Sequence, residues 1–208
     1  MTMLFALAFA LALGYLLGRY RVHQLQHHGE AIVSAALAVS FHPPEYHLLN
    51  NVTLPLENGT TQIDHILISR YGVFVIETKH YKGWIFGNAR SPIWTQVLFK
   101  RKYKFQNPLH QNYKHMKSVQ SLLNFLAPED VRPAVVFTGE AEFQTPRPDG
   151  VFTIKELIEY LRGHKDAVMS ENRLQFCVGL LECHRLSLTR ETDVTHRRNL
   201  QRRFGDAA

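Results

Sequence analysis

The segment from Gln62 to Lys79 sets the strongest limit on the fold, because it predicts two β-strands joined by a tight turn. Ile66–Ser69 and Val73–Ile76 are short and rich in β-branched apolar residues, and Arg70-Tyr71-Gly72 interrupts them. The uninterrupted apolar run in the second strand is typical of a strand that is buried on both faces. We therefore expect this strand to lie inside a covered sheet.

Charged residues occupy positions in this hairpin where apolar ones would be expected. If the turn has two residues, Asp64 lies directly opposite Glu77. Gln62 then lies opposite Lys79, and the alternation of side chains places all four on one face. Two facing carboxylates destabilise a sheet unless a positive group lies between them, so the pattern indicates a divalent metal ion assisted by the lysine. A three-residue turn would leave only a diagonal site, and a Glu-x-Lys pattern also arises by chance.

Several separated motifs, in order, resemble the nuclease-related domain (NERD) family, which is similar to the restriction-endonuclease-like, or PD-(D/E)xK, superfamily. The motifs are Gly29-Glu30 at the start of a helix, Gln62-Ile-Asp-His65, Tyr71-Gly-Val-Phe-Val-Ile-Glu-Thr-Lys79, Lys82-Gly-Trp84, and Gln106-Asn-Pro108 followed by Gln111. The resemblance covers about Gly29 to Phe137, and it implies an α/β fold: a restriction-endonuclease-like mixed β-sheet core flanked by helices. The superfamily's proline before the aspartate is absent, since Ile63 stands there.

The resemblance also implies a set of catalytic residues. Asp64 and Glu77 match the metal ligands for Mg²⁺ or Mn²⁺, and Lys79 completes the Glu-x-Lys pair. Glu30 matches the acid of the first helix, although a carboxylate in a first helical turn is also favoured by the helix dipole alone. Gln111 matches the glutamine of the following helix. The implied reaction is hydrolysis of a DNA or RNA phosphodiester bond.

The first eighteen residues contain no charged side chain and are mostly Leu, Ala and Phe. A helix of this length matches the hydrocarbon thickness of a bilayer. Arg19 and Arg21 follow at once, which favours a cytoplasmic C-terminal side. We expect residues 1–21 to be a single-pass anchor in the inner (cytoplasmic) membrane. A cleaved signal peptide is the alternative, but the basic n-region is missing.

The rest of the chain predicts alternating strands and helices. Helices are expected at 30–40, 108–126, 154–162 and 171–185, and further strands at 47–56, 82–87, 93–99 and 133–138. We assign residues 22–140 to the nuclease-related domain and 141–208 to a C-terminal helical extension with a basic tail. Cys177 and Cys183 are too few for a disulfide scaffold and their spacing does not suit zinc.

A basic segment, residues 100–117, follows the strand predicted at 93–99, and the chain has a net charge of +6. Cations without a neighbouring acid favour contact with nucleic acid phosphates, or with anionic lipid near a membrane. The candidates are Lys100, Arg101, Lys102, Lys104 and Lys114. We expect Phe105 and Tyr113 to lie in the core, and we expect DNA as the partner rather than RNA.

Taken together, these features predict a membrane-anchored, cytoplasm-facing, metal-dependent nuclease-like protein. The alternative is a non-catalytic anchored module that binds nucleic acid or acts as a scaffold. A histidine-metal nuclease is disfavoured, because no pair among the 12 histidines has convincing ligand spacing.

Overall fold

The computed structural model describes residues 27–57, 59–189, 192 and 194. Its strands are β1 (Tyr46–Leu56), β2 (Gly59–Ser69), β3 (Gly72–His80), β4 (Gly83–Phe86), β5 (Ile93–Leu98), β6 (Arg101–Gln106), β7 (Val131–Thr138), β8 (Ala141–Phe143) and β9 (Val151–Phe152). Its helices are α1 (27–40), α2 (Pro108–Leu122), α3 (Ile154–Gly163) and α4 (Glu171–His184), with a 3₁₀ turn at Pro128–Asp130. The predicted mixed α/β class is confirmed, in the form of two mixed sheets with flanking helices.

The large sheet has the strand order β1-β2-β3-β7-β9. Its first three strands are antiparallel neighbours, while β7 pairs with β3 and β9 with β7 in parallel. Ser69 pairs with Gly72 across Arg70 and Tyr71, so the predicted two-residue turn is confirmed. Val73–Ile76 is buried throughout, as expected for a central strand with helices on both faces.

Each face of the large sheet has its own hydrophobic core. On one face, Val73 and Val75 of β3 pack with Met116 and Val119 of α2, and residues of α4 complete this core. On the other face, Phe74 and Ile76 pack with residues of α1 and α3. The alternation of side chains along β3 therefore divides one apolar run between two helical layers.

The small sheet, with the order β6-β5-β4-β8, packs one face against the end of the large sheet. Trp94 of β5 and Ile85 of β4 are fully buried there and join Val135 and Phe137 of β7. Residues 101–106, which the sequence did not predict as a strand, form its edge strand β6. The two small strands β8 and β9, from the predicted extension 141–208, pair with strands of the preceding domain.

Two details of α2 differ from prediction. The helix ends at Leu122 and not at residue 126. Tyr113, expected in the core, is 53% exposed, because the buried face of the helix carries the polar side chains of Asn112 and His115. Phe105 is partly buried against the core, as predicted.

The predicted anchor, residues 1–21, lies outside the described residues. Within the part of the chain that the structure describes, no helix has the length and apolar character needed to cross a membrane. Cys177 is buried and Cys183 is exposed, and both are free thiols.

Candidate active site

The predicted site residues meet where β2 and β3 separate. The pairing of these strands ends at His65 opposite Ile76, whereas β3 stays paired with β7 as far as His80. One step beyond the last pair, in the same register, come Asp64 and Glu77. Asp64 Oδ2 accepts a hydrogen bond from the main-chain N–H of Thr78 at 2.7 Å, so a side chain takes the place of a main-chain acceptor.

Lys79 connects β3 with α2, the two elements that carry most of the site. Its Nζ donates to Glu77 Oε1 at 2.7 Å and to Gln111 Oε1 of α2 at 3.1 Å. The partner of Lys79 across the site is therefore Gln111, while Gln62, predicted opposite the lysine, pairs with Thr53 of β1. Glu77 is 1% exposed and the Lys79 side chain is 11% exposed, so the ion pair lies almost wholly away from water.

His115 belongs to this site, although the sequence analysis did not place it there. Its Nε2 lies 3.3 Å from Glu77 Oε2, and its Nδ1 lies 2.6 Å from Thr61 Oγ1 of β2. The signal that was available is spacing, since His115 follows Gln111 by four residues, one helical turn on the same face. Glu77 Oε2 is nevertheless buried without a hydrogen bond of good geometry, which leaves one carboxylate oxygen unsatisfied.

Glu30 reaches the site from the first turn of α1. It is 8% exposed, and His27 Nδ1 lies 3.2 Å from its Oε2. The preceding residue, Gly29, allows this approach, because a Cβ there would lie 2.5 Å from His80 Cβ and 2.9 Å from Thr138 Oγ1. A glycine before the acid is thus needed for α1 to touch the ends of β3 and β7.

A buried histidine stabilises the end of β3 through hydrogen bonds. His65 Nδ1 lies 2.7 Å from Asn50 Oδ1, and His65 Nε2 lies 3.2 Å from the Thr78 hydroxyl. Burial lowers the pKa of His65 to about 4, so the ring is neutral at pH 7. Because Asn50 Oδ1 can only accept, Nδ1 carries the proton and Nε2 accepts from Thr78. This series of hydrogen bonds fixes the position of Thr78, and the main-chain N–H of Thr78 in turn donates to the carboxylate of Asp64.

Two asparagines fix α2 relative to the sheets. Asn107 caps the helix by accepting from Leu109 N at 2.9 Å, and Pro108 fills the first helical position. Asn112 is fully buried and donates to the carbonyl of Val75 at 2.9 Å and to that of Ala134 at 2.8 Å. These bonds set the position of the helix that presents Gln111 and His115.

The electrostatics of the site are dominated by three carboxylates and one lysine. Burial, together with the charges of Glu77 and Glu30, raises the pKa of Asp64 well above its usual value. Burial is also the main reason that the pKa of Glu30 is raised. Burial alone would raise the pKa of Glu77 as well, but Lys79 and His115 lower it to about 2. The site therefore places three carboxyl groups beside one lysine and disfavours the charged forms of Asp64 and Glu30.

Burial alone would lower the pKa of Lys79, but the charge of Glu77 outweighs it and the pKa is raised. The lysine is consequently a fixed cation at neutral pH. Among the described residues, no group of three or more His, Cys, Asp or Glu side chains is arranged to hold a metal ion. The ammonium group of Lys79 donates to one oxygen of Glu77. It thus occupies the place beside the carboxylates that a cation favours.

The predicted basic residues lie on the small sheet and on α2, not on the strands that carry the carboxylates. Lys100 lies in the two-residue turn between β5 and β6, where Leu98 pairs with Arg101, and Lys102 and Lys104 follow on β6. All of them are exposed. Lys114 is exposed on α2, three residues after Gln111, and so lies nearer to the site in sequence.

Comparison with known proteins gives two matches. The nuclease-related domain (NERD) family matches residues 25–138, slightly more than half of the chain. An uncharacterized protein of Bacillus anthracis is 51% identical over 96 residues, which are 46% of this chain and 45% of that protein. The aligned part thus spans less than half the length of this relative. No solved structure matches the chain.

Proposed function

Because the chain belongs to the nuclease-related domain (NERD) family, we propose that it is a metal-dependent enzyme that hydrolyses phosphodiester bonds of nucleic acid. The observation that carries the proposal is the buried cluster of Asp64, Glu77 and Lys79, with Glu30 beside it. Buried carboxylates in excess of their cations are costly for a fold and are concentrated at functional sites. By the same resemblance, we propose that the large sheet is of the restriction-endonuclease type.

The donor set fits a divalent cation. Asp64 and Glu77 offer the carboxylate oxygens that Mg²⁺ and Mn²⁺ prefer, and Glu77 Oε2 is a buried oxygen without a hydrogen bond. Burial, followed by the charges of Glu77 and Glu30, raises the pKa of Asp64, and a second positive charge would relieve the repulsion among these groups. We propose Asp64 and Glu77 as the residues that hold the ion. When bound there, it supplies the charge that polarises the scissile phosphate and stabilises the leaving oxygen.

The remaining residues orient the water and balance charge. Lys79, protonated and held by Gln111, points a fixed cation at the charge that develops on the phosphate oxygens. Glu30 has a raised pKa, which makes it a stronger base than an ordinary carboxylate, so it is the acceptor best suited to take a proton from the attacking water. The water oxygen bonds to phosphorus, the P–O bond to the leaving oxygen breaks, and that oxygen takes a proton from solvent. His115 holds Glu77 in place.

The proposed substrate is DNA rather than RNA, and the proposed contacts to phosphate are Lys100, Arg101, Lys102, Lys104 and Lys114. Four of these cations lie on the edge strand β6 or in the turn before it, and together with Lys114 of α2 they give a field that attracts a polyanion. We also propose that residues 1–21 anchor the protein in the inner (cytoplasmic) membrane with the rest of the chain in the cytoplasm. The uncharged apolar segment and the arginines after it support this part of the proposal. The same cations could then also contact anionic lipid.

A cleavage assay tests the proposal. The full chain in detergent micelles is incubated with labelled single- and double-stranded DNA and RNA, with Mg²⁺, with Mn²⁺, or with EDTA. We expect cleavage with metal, and a loss of roughly 100-fold or more in Asp64→Asn and Lys79→Met. Glu159→Gln, which removes an exposed carboxylate of α3, should cleave like the wild type. Calorimetry should show that Mg²⁺ binds the wild type and not Asp64→Asn.

The second candidate is a non-catalytic module that binds nucleic acid. The direct bond from Lys79 to Glu77 favours it, because this lysine already neutralises one of the two proposed ligands. In that case a folded wild type cleaves no substrate in either metal. Binding of nucleic acid would then persist in Asp64→Asn and in EDTA.

A further inference from the structure

Large apolar side chains are exposed on one face of the small sheet. Trp84 is 51% exposed and Phe86 is 37% exposed on β4, while Ile85 between them is fully buried. Ile93 on β5 is 49% exposed as well. The alternation along β4 assigns the two aromatic rings to the face that points away from the core, which we call the outer face.

The strand register places a lysine in line with each of these rings. Trp84 pairs with Val97, and Val97 pairs with Lys102. In the next row on the same face, Phe86 pairs with Thr95, and Thr95 pairs with Lys104. Side chains of directly paired residues lie on the same face, so each row runs from an aromatic ring to a lysine. The outer face therefore contains two neighbouring rows, each with an aromatic ring at one end and a lysine at the other.

The dimensions of the sheet set the spacing of the rows. Residues two apart on a strand are separated by about 7 Å, and residues two strands apart by about 10 Å. The rings thus lie side by side on β4, and the ammonium groups lie side by side on β6. Among the described residues, neither Lys102 nor Lys104 has an ion-pair partner. On the other side of Trp84 is Glu142 of β8, so the charge changes from acidic to basic across the face.

We propose that the outer face binds single-stranded nucleic acid, with two bases stacked on Trp84 and Phe86 and the backbone phosphates on Lys102 and Lys104. The inference rests on the proposed function, since it names the substrate class of the same site. Rings that stack on bases and a line of cations that follows the backbone are what strand-binding surfaces combine. A duplex keeps its bases inside the stack, so exposed rings select unpaired bases.

The small sheet lies next to the carboxylate cluster. Its strand β4 begins at Gly83, four residues after Lys79, and its strand β6 leads through Asn107 into α2, which carries Gln111. Between the two, the ring of Tyr81 lies 4.7 Å from that of Phe105 on the inner face. The strand β4 thus begins three residues after β3 ends, and we expect the nucleic acid beyond the stacked bases to reach the cluster.

Binding of a fluorescent single-stranded 12-mer is measured by anisotropy with the full chain in detergent micelles, in EDTA and in the Asp64→Asn background so that no cleavage occurs. We expect the double variant Trp84→Ala/Phe86→Ala to bind at least tenfold more weakly, since the loss of two stacked bases costs at least that much. Trp84→Phe should keep most of the affinity, because it retains a ring. Phe176→Ala, on the exposed face of α4, is the matched control and should bind like the parent.

The contribution of Lys102 and Lys104 is measured separately, from the salt dependence of binding. Lys102→Ser/Lys104→Ser should reduce the slope of log affinity against log salt by about 1.4, the value for two phosphates of a single strand. Lys155→Ser, which removes an 87% exposed lysine of α3, should leave the slope unchanged. Thermal melts of all variants serve to exclude unfolding as the cause.

Three results would overturn the inference. The first is equal binding of a duplex of the same length, and the second is unchanged binding by the folded aromatic double variant. The third is a face that binds anionic vesicles and loses that binding in the aromatic variant, while oligonucleotide binding stays intact. Phe99→Ser, at the 94% exposed hairpin tip, would identify that membrane contact. Absence of cleavage, by contrast, would refute the proposed catalysis and leave strand binding intact.

Discussion

Lys79 Nζ lies 2.7 Å from Glu77 Oε1, and the two side chains, two residues apart on β3, form a nearly buried ion pair at the end of that strand. The pair has its own partners on α2, Gln111 for the lysine and His115 for the glutamate. Charged groups therefore connect β3 with α2 at the point where the pairing of β2 with β3 ends. We therefore expect removal of this ion pair to lower stability more than any other change in the site.

We predict that Lys79→Met lowers the free energy of unfolding by about 3–5 kcal/mol, because it leaves the Glu77 carboxylate buried without its cation. Urea unfolding at pH 7 measures the change. The double variant Glu77→Gln/Lys79→Met should recover part of the loss, since neither charge remains. Lys155→Met, at an exposed position of α3, is the control. A double variant less stable than Lys79→Met would contradict the explanation.

Asp64→Asn should stabilise the protein in EDTA by about 1 kcal/mol at pH 7. The amide oxygen can still accept from Thr78 N, while the repulsion from Glu77 and Glu30 disappears. The folded pKa of Asp64 is raised, so its protonated form contributes stability at low pH that is lost as pH rises through the folded pKa. The advantage of the variant should therefore shrink towards pH 4. Lower stability of Asp64→Asn at pH 7 would show that the carboxylate is not strained.

Because His65 is buried, the free energy of unfolding should decrease as the pH falls. Its pKa is lowered from 6.5 to about 4 by burial, so between these values the unfolded state binds the extra proton. The contribution is complete above pH 6.5 and is lost as pH falls towards 4, about 3 kcal/mol in all. The stability difference between the wild type and His65→Gln should shrink over this window. His184→Gln, at an exposed position, should run parallel to the wild type.

Gly29→Ala tests how closely α1 must approach the site. The added Cβ would lie 2.5 Å from His80 Cβ, so α1 has to move away from β3 and β7. We expect a loss of about 1–3 kcal/mol in urea unfolding, together with weaker catalysis because Glu30 moves with the helix. Gly179→Ala on α4, where a Cβ would meet no atom within 4 Å, should be neutral or slightly stabilising. Full stability of Gly29→Ala would refute the close contact.

Local pattern was sufficient for most of the secondary structure and for the central hairpin. Val73–Ile76 could only be a covered strand, and Gly72 after Arg70-Tyr71 set a turn that fixes the register with β2. That register alone brings Asp64 level with Glu77. The strand β6 was missed because three of its six residues are cations, and only Phe105 is partly buried, as is typical of an edge strand.

The main error on α2 was Tyr113, which is exposed although Met116 and Val119 of the same predicted face are buried. The helix buries the polar residues Asn112 and His115 as well. Each has a partner that periodicity cannot reveal. For Asn112 the partners are two carbonyls of the sheet, and for His115 they are Glu77 and Thr61. Buried polar groups are placed by hydrogen bonds from distant elements, which hydrophobicity does not encode.

By itself, the sequence determined the central hairpin, most of the longer elements, and the choice of acids and lysine on β2 and β3. These follow from local propensities and from the period of two along a strand, which need no knowledge of neighbours. Only the tertiary structure decided that α1 and α2 bring Glu30, Gln111 and His115 to the same point, and that Trp84 and Phe86 line up with two lysines. Such contacts join residues far apart in the chain, as Thr61 and His115 are at 54 positions, so they depend on packing and strand order rather than on any local pattern.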